Sequence, residues 1–255
     1  MPGILCQVRH AFLAGLLLLA PSVVGTRASA EDSYLLALTW QPGFCADEAH
    51  AATAECKIVP KDKPRLVLHG LWPDWDVNGD GKRNADDDFC IPGADNRNSM
   101  MALDKGSWLK LPPMKLSEAS SSDLAAAMPG TAAGLDRHEW WKHGTCSALK
   151  PDEYFAIAIA LLREVERGAL SRLVVDYAGG TVARQKLLDA FELDFGPKSA
   201  RALGLDCADG ALQEIRIRLK RATITQGLTA ETLALPAKPP RGDCAAKLAI
   251  PGWGK

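Results

Sequence analysis

Residues Arg137–Ser147 read RHEWWKHGTCS, which places two histidines, a glutamate and a lysine within six positions and closes with a cysteine. The opening superficially matches H-E-x-x-H, in which two histidines four apart face one zinc ion. The spacing is different here. At about 100° per residue on a helix, His138 and His143 point roughly 140° away from each other, whereas Glu139, Lys142 and His143 share a face. A helix would therefore set a carboxylate, an ammonium and an imidazole side by side, a set suited to moving a proton next to an anion. Trp140 and Trp141 are assigned to packing.

Upstream, the 255-residue chain opens with Arg9, an apolar run from Ala11 to Ala20, and Ala28-Ser29-Ala30 ahead of Glu31. That layout predicts a cleaved secretory signal over residues 1–30, with an uncleaved anchor as the alternative; the apolar run is short for a membrane span. Residues 31–255 suffice for one sizeable core and show no linker-like composition shift, so one domain is expected. The chain carries 30 Lys and Arg against 31 Asp and Glu, and two of the basic residues, Arg9 and Arg27, leave with the signal. A slightly acidic protein is not a general polyanion binder. Any nucleic acid must be recognised locally.

Beyond Cys6 in the signal, Cys45, Cys56, Cys90, Cys146, Cys207 and Cys244 form an even set in an exported chain, so disulfides are expected. Six cysteines allow fifteen pairings, and spacing chooses none of them. No C-x-x-C pair supports a zinc site.

Tyr34–Gln41 (YLLALTWQ) and Arg65–Leu71 (RLVLHGL) are short apolar runs bounded by turn residues and read as strands. Ile215, Ile217 and Leu219 alternate with Arg216, Arg218 and Lys220, a strand with one wet face. Pro151–Gly168 reads as a helix, from its leading proline and first-turn acids to its closing glycine. Thr181–Phe195 reads as another, with Val182, Leu187, Leu188 and Phe191 on one side, and Asp123–Gly134 as an alanine-rich surface helix and loop. The class is α+β.

Three of the four histidines beyond the signal fall in two segments: His69 in LVLHGLWPDW, and His138 and His143 in RHEWWKHGTCS. The fourth, His50, lies in a polar loop and is expected to be merely solvated. The blocks HGLWP (His69–Pro73) and HEWWKHGTC (His138–Cys146), in this order and with TWQPGFC (Thr39–Cys45) upstream, make the chain resemble the ribonuclease T2 family. The resemblance covers most of the chain beyond the signal. It implies a single catalytic domain with a central, mainly antiparallel sheet packed by helices and stapled by disulfides. It also implies a secreted or periplasmic, metal-independent endoribonuclease that cleaves single-stranded RNA through 2′,3′-cyclic phosphates.

In that chemistry the nucleophile is the substrate's own 2′-hydroxyl, so DNA should not be cut. What the protein must supply is two proton-transfer groups and stabilisation of a crowded dianion. Position by position, the resemblance implies His143 as general base, His69 as general acid, Glu139 and Lys142 as stabilisers of the phosphorane, and His138 as a phosphate contact. It implies Trp72 and Asp74 as a base pocket, for which burial in the core is the plain alternative, and Gln41 as a second base site. It further implies the pairs Cys45–Cys56, Cys90–Cys146 and Cys207–Cys244, the second of which would tie the two catalytic blocks together. An RNA substrate, no membrane and a monomer are expected.

Two competing readings remain: a metal-dependent phosphoesterase liganded by His69, His138 and His143, and a catalytically idle RNA- or partner-binding member of the scaffold. Separately, Asp76–Asp87 (DVNGDGKRNADD) fits a twelve-residue calcium loop. Asp76, Asn78 and Asp80 fall at positions 1, 3 and 5, Gly81 at 6, the Lys82 carbonyl at 7, Asn84 at 9 and Asp87 at 12. A solvated Asx-rich turn fits it equally. No cofactor is expected for catalysis; a structural calcium is the one candidate ion.

Overall fold

The alternation seen in Ile215–Lys220 belongs to a ten-residue strand on which the sheet is assembled. The computed structural model describes residues 32–253 apart from 62, 81 and 237–241, and the signal-peptide reading lies outside the described residues. In chain order come β1 (Ser33–Trp40), α1 (Gln41–Ala46), α2 (Ala54–Ile58), β2 (Leu66–Asp74), α3 (Ala94–Gly106), α4 (Glu118–Ala127) and α5 (Leu135–Lys142). Then follow α6 (Pro151–Arg167), α7 (Ala169–Asp176), β3 (Gly180–Ala183), α8 (Arg184–Phe195), β4 (Leu203–Ala208), β5 (Ala211–Lys220) and β6 (Lys247–Ile250). The six strands form one sheet in the order β2-β1-β5-β6-β3, with β4 also paired to β5. All pairings are antiparallel except β5 with β6. The fold is α+β, a central sheet packed by helices.

Period-two patterning divides the sheet's faces. Ile215, Ile217 and Leu219 of β5 are fully buried with Leu36 and Leu38 of β1, while Glu214, Arg216 and Arg218 project from the other face. Helix α6 closes the apolar side with Tyr154, Phe155, Ala158, Ile159, Leu162 and Val165, each worth about 1.5–3 kcal/mol for the larger side chains. Its Tyr154 hydroxyl donates to the Leu71 carbonyl at 2.6 Å, which pins the helix to β2. Disulfides join Cys45 to Cys56, Cys90 to Cys146 and Cys207 to Cys244.

One local expectation is corrected and another refined. Thr181–Ala183 is not the start of a helix: Val182 pairs with Leu248 in strands β3 and β6, and the helix begins only at Arg184. The competing force is a partner more than sixty residues away, invisible to local periodicity. The alanine-rich segment does form a mostly exposed helix, but one edge of it enters the core. Its helix starts at Glu118, capped by Ser117 Oγ, and Leu124, Ala127 and Met128 are buried in the core.

Candidate active site

The HGLWP block lies on β2, where the pairing with β1 slips: Leu68 opposes Leu38 and Gly70 opposes Ala37, leaving His69 as the extra residue of a β-bulge. Bulges re-aim side chains. Here the slip brings His69, Gly70 and Trp72 to the same carboxylate, that of Glu139 on α5. His69 Nε2 lies 3.7 Å from Glu139 Oε1, and the Trp72 indole donates to Glu139 Oε2 at 2.7 Å. A Cβ at position 70 would fall 1.8 Å from Glu139 Oε2, so only glycine lets the carboxylate rest against the strand.

Helix α5 ends at Lys142, and the geometry differs from the one expected from helical spacing. His143 is the C-cap, and with Glu139 and His138 it brings ligand-type atoms within 4.8 Å of one another. The two rings therefore meet at Glu139 instead of diverging, although the His143 backbone is still in the helical region and its amide still donates to the Glu139 carbonyl at 3.1 Å. His138 Nε2 lies 3.9 Å from Glu139 Oε1, while its Nδ1 bonds Asp104 at 2.5 Å and its ring stacks on Trp108 at 4.5 Å. His143 Nδ1 lies 3.7 Å from Asp88 Oδ1, which Arg83 also engages at 2.6 Å. The Cys90–Cys146 bond, with the Phe89 amide donating to the Lys142 carbonyl at 2.9 Å, fastens that Asp88 segment to the end of α5.

The two imidazoles have opposite electrostatic surroundings. Burial disfavours the charged form of His69, but a hydrogen bond from Nδ1 to Glu214 and the negative charges of Glu139 and Glu214 outweigh it, so its pKa is raised. His143 is held well below the usual histidine range, first by burial and then by Lys142, His138 and Arg83. Burial lifts the Glu139 carboxyl to about 7 against the opposing pull of His69, Trp72 and Lys142. Its Oε1 is buried with no hydrogen-bond partner among the described residues. Neighbouring groups with separated proton affinities are the arrangement that acid–base catalysis requires.

Lys142 is half-buried at the end of α5 and acts on the cluster through its charge. Gln41 is buried at the start of α1, where its amide donates to Cys45 Sγ at 3.2 Å. It lines a cavity of about 400 Å³ that reaches His69, Phe44, His50, Trp108 and Glu214. His50 is not simply solvated: it stacks on Phe44 at 4.3 Å, lies 3.7 Å from Asp47 and forms part of this wall. Asp74 stands apart from this cluster, its carboxylate bound by Arg218, which also donates to Ser33. Of the tryptophans assigned to packing, Trp140 lies edge-on to Tyr154, and Trp141 donates to the Pro112 carbonyl at 2.7 Å.

The Asp76–Asp87 loop spends its oxygens on its own backbone. Asp87 accepts from the Val77, Asn78 and Asn84 amides, Asp76 from Gly79 and Asp80, Asn78 from Asp80, Asp80 from Lys82, and Asn84 from Asp86. Among the described residues, its aspartates do not bring three ligating atoms within 4.8 Å of one another.

Sequence reasoning missed Glu214, Arg216, Asp88, Asp104 and Trp108. For Glu214 and Arg216 a signal existed: they share the face of β5 read only as wet. Asp88, Asp104 and Trp108 lie in segments without periodicity, and nothing local marks them.

A buried carboxylate between two imidazoles whose proton affinities are pushed in opposite directions, set on an α+β sheet, is an arrangement that fits an acid–base enzyme. Residues 31–226 match the model of the Ribonuclease T2 family, and the chain belongs to that family. It is 29% identical over 225 residues to Ribonuclease I of Escherichia coli, covering 84% of this chain and 83% of that protein. It is 26% identical to Ribonuclease 1 of Arabidopsis thaliana, covering 72% and 74%. In fold it resembles ribonuclease MC1 from bitter gourd seeds, with a TM-score of 0.54, 20% identity and coverage of 86% and 99%. The chain is an endoribonuclease of this family.

Proposed function

We propose that the chain cleaves single-stranded RNA by transphosphorylation without a metal ion. His143, kept neutral, takes the proton from the ribose 2′-hydroxyl; the oxygen attacks the adjacent phosphate; His69, kept charged, protonates the departing 5′-oxygen, leaving a 2′,3′-cyclic phosphate. Glu139, with its proton affinity raised, can donate a hydrogen bond to a phosphoryl oxygen, while Lys142 and His138 add positive charge to the phosphorane. The observation that carries this reading is the opposition between His69 among carboxylates and His143 among cations.

The cavity containing Gln41 adjoins His69 and is placed to take the base of the leaving nucleoside. Trp72 and Asp74 already have protein partners, so they are the weaker base site. The leader suggests export to a periplasm or the medium, in keeping with three disulfides; among the described residues no helix is long and apolar enough to cross a membrane. The working unit is read as residues 31–255 acting as a monomer.

The convergence of His138, Glu139 and His143 favours one other reading, a metal-dependent phosphoesterase. One experiment separates the two: incubate the purified protein with RNA and with DNA in chelator and identify the termini. RNA cut to cyclic phosphates, with DNA intact, supports the proposal. Abolition by chelator, or comparable cleavage of DNA, overturns it.

A further inference from the structure

Resting on the assignment of His69 as the acid, we infer that Glu214 is a positioning residue for it. Glu214 fixes the ring so that Nδ1 carries its proton toward β5 and Nε2 presents the transferable one to the scissile phosphate. The bulge leaves His69 without a strand-pairing position, so its side chain needs a second anchor. Glu214 supplies it from the polar face of β5, two strands away across β1, through Oε2 to Nδ1. The anchor is itself held. Arg216 Nε donates to Glu214 Oε1 at 2.6 Å and lies 2.9 Å from Asp206 of β4, and its guanidinium stands 5.5 Å from the centre of the Trp72 ring. Asp206, Arg216, Glu214 and His69 thus form one chain of charges that ends at the acid.

The other groups around His69 do not duplicate this contact. Glu139 approaches only Nε2, at 3.7 Å. Glu55 of α2 acts on His69 through charge, and Asp47 and His50 line the same cavity wall. His138 and His143 lie across Glu139 and oppose the positive charge. Replacing Glu214 by glutamine keeps an acceptor for Nδ1–H but removes the charge, so the acid form of His69 should be lost at lower pH than in the wild type.

The test is the pH profile of kcat/KM for RNA in wild type, Glu214→Gln, Glu214→Asp and His69→Ala. Glu214→Gln should lose about tenfold or more on the alkaline limb and much less on the acid side, with KM and melting temperature near wild type; Glu214→Asp should restore part of the loss. On a ribonucleoside 3′-(4-nitrophenyl) phosphate, whose leaving group needs no proton, the defects of Glu214→Gln and His69→Ala should both nearly vanish. A profile for Glu214→Gln that matches wild type, or falls equally at every pH, overturns the inference. If His69→Ala itself cleaves RNA well, the acid assignment fails instead. Should Glu214→Gln not fold, nitrogen-15 NMR of wild-type His69 decides: a neutral ring protonated at Nδ1 supports the inference, and one protonated at Nε2 refutes it.

Discussion

Gly70→Ala isolates the packing that holds Glu139. The new Cβ would sit 1.8 Å from Glu139 Oε2, 2.6 Å from its Cδ and 2.5 Å from Trp72 Nε1, so the carboxylate must leave the strand and surrender its bond to the indole. Loss of a buried hydrogen bond to a charged group costs about 1.5–3 kcal/mol, and overpacking adds about 1–3 kcal/mol. The expected destabilisation is about 3 kcal/mol or more, a fall of roughly 6–12 °C in melting temperature for a chain of this size. Because a displacement of about 1 Å at a positioned catalytic group costs about 10²-fold, kcat/KM should fall at least that far. The assay is a thermal melt with RNA-cleavage kinetics. Gly106→Ala serves as the neutral control, since nothing lies within 4 Å of its added Cβ. In a Glu139→Ala background the same Gly70→Ala change should cost less than half as much, because the main obstruction is gone. Wild-type melting and more than half of wild-type activity in Gly70→Ala would refute the argument.

For the pH dependence of cleavage, His143 must be neutral and His69 charged. The acid limb should therefore fall well below pH 6.5 and the alkaline limb above it, giving a broad plateau; a narrow bell centred on 6.5 would contradict both shifts. Asp87, held low because three backbone amides outweigh the cost of its burial, should support the fold above the ordinary carboxylate range and lose that support as the pH falls through its depressed value. Asp87→Asn should cost about 1–3 kcal/mol in melts with chelator and with calcium alike; a cost seen only with calcium would restore the ion reading of the loop. Replacing Cys90 and Cys146 by serine should lower stability by about 4 kcal/mol for a 56-residue separation. It should also depress activity in the folded fraction; unchanged kcat would show that the tether does not position His143.

Legibility in the sequence followed range. Strands β1, β2 and β5 and helix α6 could be read from their own periodicity, because burial on one face imposes it within a few residues. Strand β3 could not, since its reason to be extended is β6. The candidate site was visible as residue types at given positions, but its geometry was misread: five-residue spacing sets His138 and His143 apart on a helix, yet their ring nitrogens and the Glu139 carboxylate come within 4.8 Å of one another. Cysteine connectivity came only from the family resemblance. Arg216 was visible as alternation, and Glu214 continues its face, yet neither had meaning without knowing that β5 passes two strands from β2, across β1, and brings Glu214 to His69.

That passage explains how one fold gives two imidazoles contrary proton affinities. His143 terminates α5, where the helix dipole by itself would favour a charged imidazole, by about 0.3–1 kcal/mol when exposed. The site reverses this by burying the ring and placing Lys142, Arg83 and His138 around it. His69 starts from the same penalty of burial, but its bulge turns it toward the polar face of the sheet, where Glu214 and Glu139 supply the compensating charge. The difference between the proposed base and the proposed acid therefore arises from position: one ring is buried at a helix end with Lys142, His138 and Arg83 nearby, the other sits on a strand flanked by carboxylates. Glu139 lies between the two environments, and burial lifts its carboxyl to about 7, an effect that His69, the Trp72 indole and Lys142 only partly offset.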